Sequence, residues 1–151
     1  MILKNKLDQI AQLINQGNTK NNKISAEGVY WHLNHSLLII NNVTKVLIKS
    51  TPLDYKTNFN FARTLIFALN FIPRGKGKAP KAVHPPNDTT KEALHKQLDE
   101  AKQLITHFKD LPTKSNFRHP LFGVLNLKQT LKFLKLHTNH HLKICRDINK
   151  G

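Results

Sequence analysis

The stretch from Asn126 to Ile148 constrains this chain more than any other, because its apolar residues recur at helical spacing along its whole length. At about 100° per residue, Thr130, Phe133, Leu134, His137, His141, Ile144, Cys145 and Ile148 fall on one stripe, and Lys128, Lys132, Lys135, Lys143 and Arg146 fall opposite. Asn126 stands where an N-cap belongs, and Gln129 stands where a capping box places the returning side chain. An amphipathic helix of this kind needs other helices to cover its apolar side. It also carries two imidazoles, His137 and His141, one turn apart on the side that faces inward. That spacing lets two histidines grip one metal ion. The competing reading is a pair of core histidines satisfied by hydrogen bonds.

A third inward histidine comes from a second helix, predicted from about Ala26 to Lys49, with Ser25 as its N-cap and Thr51-Pro52 closing it. Trp31, His35, Leu38, Ile39, Asn42 and Val46 share one stripe of that helix, with His35 near the centre, His32 at the edge and Asn34 to the side. The remaining chain adds a first helix over about Leu3 to Ile14, with Leu3, Leu7, Ile10, Ala11 and Ile14 on one face. It also adds a short helix over about Phe59 to Phe71, apolar nearly all round and so expected to be buried or packed as a plug over one end of the bundle. Pro73 stops the short helix. Residues 73–87 hold four prolines and two glycines and are expected to cross in irregular form. Asp88 or Thr89 is placed to cap a further helix, from about Thr90 to Phe108. Residues 109–123 form an irregular link ending in the compact turn His119-Pro-Leu-Phe-Gly123. No strand pattern is strong enough to predict a sheet, and no internal repeat or Gly-x-Ser-x-Gly elbow is present. The expected fold is therefore all-α: a four-helix bundle with an additional short helix and long irregular crossings, in one domain spanning 1–151.

Composition narrows the function. No run of about 18 apolar residues exists, so no membrane partner is expected. The N-terminus lacks a signal-peptide core, and the single cysteine fits a reducing, cytoplasmic setting. Cys145 on the inward stripe reads as a small buried residue rather than a nucleophile. The net charge of +15 raises nucleic acid or another polyanion as a partner. However, the lysines are spread along the chain, and the one dense cluster, residues 74–81, has no interleaved aromatic residues. Solvated surface is the simpler account of them.

In a helical bundle His35, His137 and His141 make three neutral nitrogen ligands, leaving one position for water or substrate as in catalytic zinc sites. Carboxylates are scarce nearby, which argues against a di-iron carboxylate centre. Nitrogen ligation suits zinc, nickel, copper or ferrous iron. Asn42 and His140 are candidate groups for orienting a ligand, and Trp31 and His119 are candidate pocket residues.

Trp31-His-Leu-Asn-His35-Ser, His119-Pro-Leu-Phe-Gly123 and His137-Thr-Asn-His-His141, taken in order, resemble the DinB/YfiT-like superfamily of metalloenzymes. They are most similar to an uncharacterised subgroup with a proline-rich crossing like Lys78-Ala-Pro-Lys-Ala-Val-His-Pro-Pro86. The resemblance spans about residues 25–148. It implies a four-helix bundle in up-down-down-up order, with a metal held by a histidine of the second helix and a His-x-x-x-His pair of the last. Those positions match His35, His137 and His141. It further implies a divalent metal, zinc or nickel first and iron next. A low-molecular-weight thiol is implied as well, since some relatives are S-transferases or isomerases using bacillithiol, mycothiol or glutathione. Many relatives have no known activity. Relatives often carry a glutamine after the His pair; here Leu142-Lys-Ile144 follows, so no role of that glutamine transfers. The expected activity is thiol transfer, with metal-assisted hydrolysis second, on a small-molecule substrate. The alternative is a non-catalytic basic protein that binds nucleic acid or another polyanion. The chain is compatible with a homodimer.

Overall fold

The computed structural model describes residues 2–75, 83–86 and 88–151. Among the described residues, five α-helices pack with one short β-hairpin: α1 (Ile2–Gln16), α2 (Val29–Lys49), α3 (Phe61–Leu69), α4 (Lys91–Leu104), β1 (Asn116–His119), β2 (Gly123–Asn126) and α5 (Leu127–Lys150). Single 3-10 turns at Pro52–Asp54 and Ile105–Lys109 follow α2 and α4. No helix among the described residues is long and apolar enough to cross a membrane.

The helix order follows from side-chain bonds between helices. Lys6 meets Asn139, Gln9 meets Arg146, and Gln16 meets Asn149, so α1 and α5 run the same way. Asn34 bonds Gln97, Asn41 bonds the Gln97 carbonyl and Glu100, and Lys45 pairs with Glu100, so α2 and α4 also run together. Cys145 reaches the Val29 carbonyl while His32 reaches His141, so α2 and α5 are antiparallel. The bundle is therefore up-down-down-up in the order α1, α2, α4, α5. Each of α1 and α2 packs mainly on α4 and α5 and little on the other. The shared core includes Leu7, Ile10 and Ile14 of α1, Leu33, Leu37 and Leu47 of α2, Leu94 and Leu98 of α4, and Leu134 and Leu142 of α5.

Parallel α2 and α4 have a consequence for the chain between them. The polypeptide must travel back along the bundle, about 30 Å for a helix as long as α2, before α4 can begin. Residues 50–90 connect the two, and α3 is the one α-helix among those of them that are described. Of the expected irregular crossing at 73–87, residues 76–82 and 87 lie outside the described residues, as does most of the basic cluster at 74–81. Pro73, Arg74, Gly75 and residues 84–86 are non-helical, and Arg74 pairs with Asp147 at 2.6 Å.

Several local expectations are corrected. Helix α2 starts at Val29 with Gly28 as N-cap, not at Ala26 after Ser25. Its first amides are met from the preceding loop: Val29 N–H donates to the Thr19 carbonyl and Tyr30 N–H to Asn18 Oδ1. A Cβ at position 28 would stand 2.9 Å from Asn18 Oδ1, so glycine suits that approach. The buried arc of α2 is also rotated from the expected stripe, because α2 packs on α4 and α5 at once. Asn42 and Val46 are exposed, whereas His32, Leu33, Asn34 and Leu37 are buried. Helix α4 is capped by Thr90, whose side chain accepts from Ala93 N–H, and ends at Leu104 before the 3-10 turn.

The short helix α3 is not buried. Phe61, Leu65 and Leu69 are exposed, and its only buried residue is Arg63. It lies outside the bundle and touches the core through Ala62, Ile66 and Phe67. Arg63 fixes it there by donating to the carbonyls of Asn58, Phe122 and Val124 and to Asn58 Oδ1. The small hairpin is the only sheet among the described residues, and no residue pattern marked its strands out. Phe117 pairs with Leu125 and Asn116 with Asn126, over four residues per strand. Gly123 opens β2 at φ +69°, a conformation that favours glycine. Helix α5 forms as expected, with both halves of the Asn126–Gln129 capping box at 2.9 and 3.0 Å.

Candidate metal centre

The antiparallel crossing of α2 and α5 brings three histidines together. His35 is on α2, and His137 and His141 are one turn apart on α5. One ring nitrogen of each lies within 4.8 Å of those of the other two. The ring centroids are 4.6 Å apart for His137–His141, 4.8 Å for His35–His141 and 5.1 Å for His35–His137. The group could hold a metal ion with slight closure of the rings, since tetrahedral sites place each nitrogen about 2.0–2.1 Å from zinc.

Each imidazole is held neutral, the form that ligates metals. Burial is the first cause in all three and pushes His137 and His141 well below the ordinary histidine value. The neighbouring imidazoles add to it. His35 is also lowered, with its bond to Val83 opposing the shift.

Hydrogen bonds outside the cluster orient two of the rings. His35 Nδ1–H donates to the Val83 carbonyl at 2.7 Å, which leaves Nε2 as its bare nitrogen. His141 Nδ1 lies 3.0 Å from His32 Nδ1, and His32 Nε2 lies 2.9 Å from Ser25 Oγ. One proton lies between the two Nδ1 atoms. If His141 donates it, His141 Nε2 is bare and His32 Nε2–H donates to Ser25. If His32 donates it, His141 Nε2 carries the proton instead. The third ring is different: His137 Nδ1 is buried and has no hydrogen-bond partner among the described residues. An orphaned buried nitrogen beside two other inward imidazoles is a donor set that fits a cation.

The other expected site residues divide. Trp31 stacks on His35 with centroids 5.2 Å apart and meets His84 edge-on, so it walls the cluster. His140 meets His141 edge-on at 5.1 Å and bonds the Ile72 backbone, so it ties the returning chain to α5. His119 does not face the cluster. Its Nδ1 accepts the amides of Leu121 and Phe122, which shapes the hairpin turn, and its ring packs on Phe133, which in turn meets His137. Asn42 is absent from the site. It is exposed and lines a groove with Lys45, Lys49 and Arg118 near the hairpin.

His32, Ser25 and Val83 are the residues that sequence reasoning did not assign to the site, although it set His32 at the edge of the His35 stripe. His32 precedes His35 by three residues, so it shares a helical face with it. That spacing was the available signal, and the rotated stripe of α2 obscured it. Ser25 was assigned to capping, a task that Asn18 and Thr19 perform.

Comparison with curated proteins finds no match, and comparison with solved structures finds none. A protein-family model described as a protein of unknown function, DUF1569, matches residues 63–147, which run from the buried arginine of α3 through both α5 ligand candidates. On that match, which covers more than half of its length, the chain belongs to the DUF1569 family.

Proposed function

We propose that this chain is a metal-dependent enzyme of the DinB/YfiT-like kind, with a divalent ion held by His35, His137 and His141. The observation that carries this reading is the orphaned His137 Nδ1, buried beside two imidazoles whose outer nitrogens are already engaged. The up-down-down-up helix order and the three ligand positions on the second and last bundle helices agree with the resemblance read from the sequence. Zinc or nickel suits three neutral nitrogens best, and iron follows.

A bound divalent ion supplies a Lewis acid centre that lowers the pKa of a thiol or water donor. The chain's own residues do the rest. Trp31 and Phe133 line the cluster with apolar surface. The Val83 carbonyl and His32 fix ring orientation. No carboxylate belongs to the described ligand group, so a proton leaving a thiol or water has neutral imidazoles and solvent as its acceptors. This favours thiol transfer to a small electrophile, in which the nucleophile is used as its anion and no strong general base is required. Hydrolysis is the second reading of the same site.

The test is metal uptake by protein purified without chelator or affinity histidines. The wild type should take up about one equivalent of zinc or nickel and gain thermal stability on doing so. His137→Ala should lose that uptake while its metal-free melting temperature stays near that of the wild type. Uptake below half an equivalent by the wild type would end the proposal and leave the three histidines as a polar core network.

A further inference from the structure

A cavity lies away from the histidines. It occupies about 880 Å³ where α5 meets the start of α1, the 3-10 turn after α4 and the end of α3. Its floor is apolar, built from Leu3, Phe108, Leu127 and Leu131. Its rim is cationic: Lys109, Lys128, Lys132 and Lys135 line it, and no carboxylate among the described residues does. None of these four lysines is in an ion pair among the described residues. Lys132 instead sits over the Phe67 ring, 5.5 Å from its centre. The three lysines of α5 span two helical turns, about 10 Å along one side of the groove.

We infer that this groove is a binding site for a single-chain amphipathic anion, a carboxylate with a long alkyl tail. The tail would lie on the leucine and phenylalanine floor, and the carboxylate would take the lysine side. The volume falls within the roughly 300–1,000 Å³ of small-molecule pockets. An apolar floor alone would accept any oily ligand, and a lysine row alone would be solvated surface. The two together, with no acidic residue between them, select a ligand that is both long-chained and negative. The site is independent of the metal reading, because α5 turns Lys128, Leu131, Lys132 and Lys135 to one side and His137 and His141 to another.

The experiment is calorimetric titration of the full chain at pH 7.5 with dodecanoate below its micelle-forming concentration. Butyrate and octanol serve as probes of charge and chain alone. Saturable binding near one equivalent is expected for dodecanoate, with butyrate and octanol each at least about tenfold weaker. The variant K128Q/K132Q/K135Q should lose at least about tenfold in dodecanoate affinity, as should Leu131→Gln, while both keep wild-type metal uptake and melting temperature. Binding of many equivalents, equal affinity for octanol, or undiminished affinity in the lysine variant would overturn the inference. So would pelleting with phosphatidylglycerol vesicles in the absence of dodecanoate binding, because the surface would then recognise a membrane.

Discussion

His32 and His141 face each other across 3.0 Å through like atoms, Nδ1 to Nδ1, inside the bundle. Two identical ring nitrogens can bond only if one is protonated and the other is not, so each ring's tautomer dictates the other's. Loss of His32 should therefore disturb His141 without removing it. His32→Ala is expected to weaken zinc affinity by about 10–100-fold, with helix content retained. Competition against a chromophoric chelator measures this. Unchanged affinity would mean that the contact is only packing.

The buried imidazoles should make the metal-free protein acid-sensitive. An unfolded chain protonates its histidines near pH 6.5. In the folded chain burial lowers His32 and His119 to about 4. Between those values the unfolded state holds more protons, so stability falls as pH falls. It should be full above about pH 6.5 and decline progressively towards pH 4. Thermal melts in chelator at pH 7.5, 6 and 5 should show a falling midpoint. A flat midpoint would show that the folded imidazoles protonate as freely as unfolded ones.

Arg63 is buried with no carboxylate partner among the described residues, and its charge is met by carbonyls of the hairpin and of Asn58. Arg63→Leu removes the donor to the Asn58 and Phe122 carbonyls, while Val124 keeps its bond from Asn58 Nδ2. The attachment of α3 and the hairpin should weaken by about 2–4 kcal/mol, while the bundle and its metal uptake persist. Hydrogen exchange localises the effect. Amides of residues 116–126 should exchange faster and those of α1 should not.

Cys145 is buried against the Val29 carbonyl, and burial pushes its thiol up to about 12. It should resist iodoacetamide at pH 8 in the folded protein and react fully in denaturant. Rapid modification of folded protein would assign the residue a chemistry that the site reading omits.

The most legible parts of the sequence were those governed by one period and one cap. Helix α5 was readable because its stripe runs unbroken and its capping box is local, and His137 and His141 came with it. His35 was readable for the weaker reason that a wide buried arc still contains it. What was hidden depended on contacts between distant segments. Asn18 and Thr19 displaced Ser25 as the cap of α2, and only then was Ser25 free to meet His32. The exposure of α3 was hidden too. Its apolar composition suggests burial, whereas one arginine and three small contacts hold it on the outside. Nothing in the spacing of residues 83–86 announced that a backbone carbonyl there would orient His35.

That last bond separates the site into walls and a roof. The walls are helices whose mutual fit rests on leucine packing and tolerates little change in length. The roof is the returning segment, which joins the site through the Val83 carbonyl and the edge of His84. Its length is set by the need to connect two parallel helices, not by core packing. Within a lineage, residues could be inserted or deleted there while the three imidazoles keep their places, so diversification of what enters the site should concentrate in the return and leave α2 and α5 fixed in length.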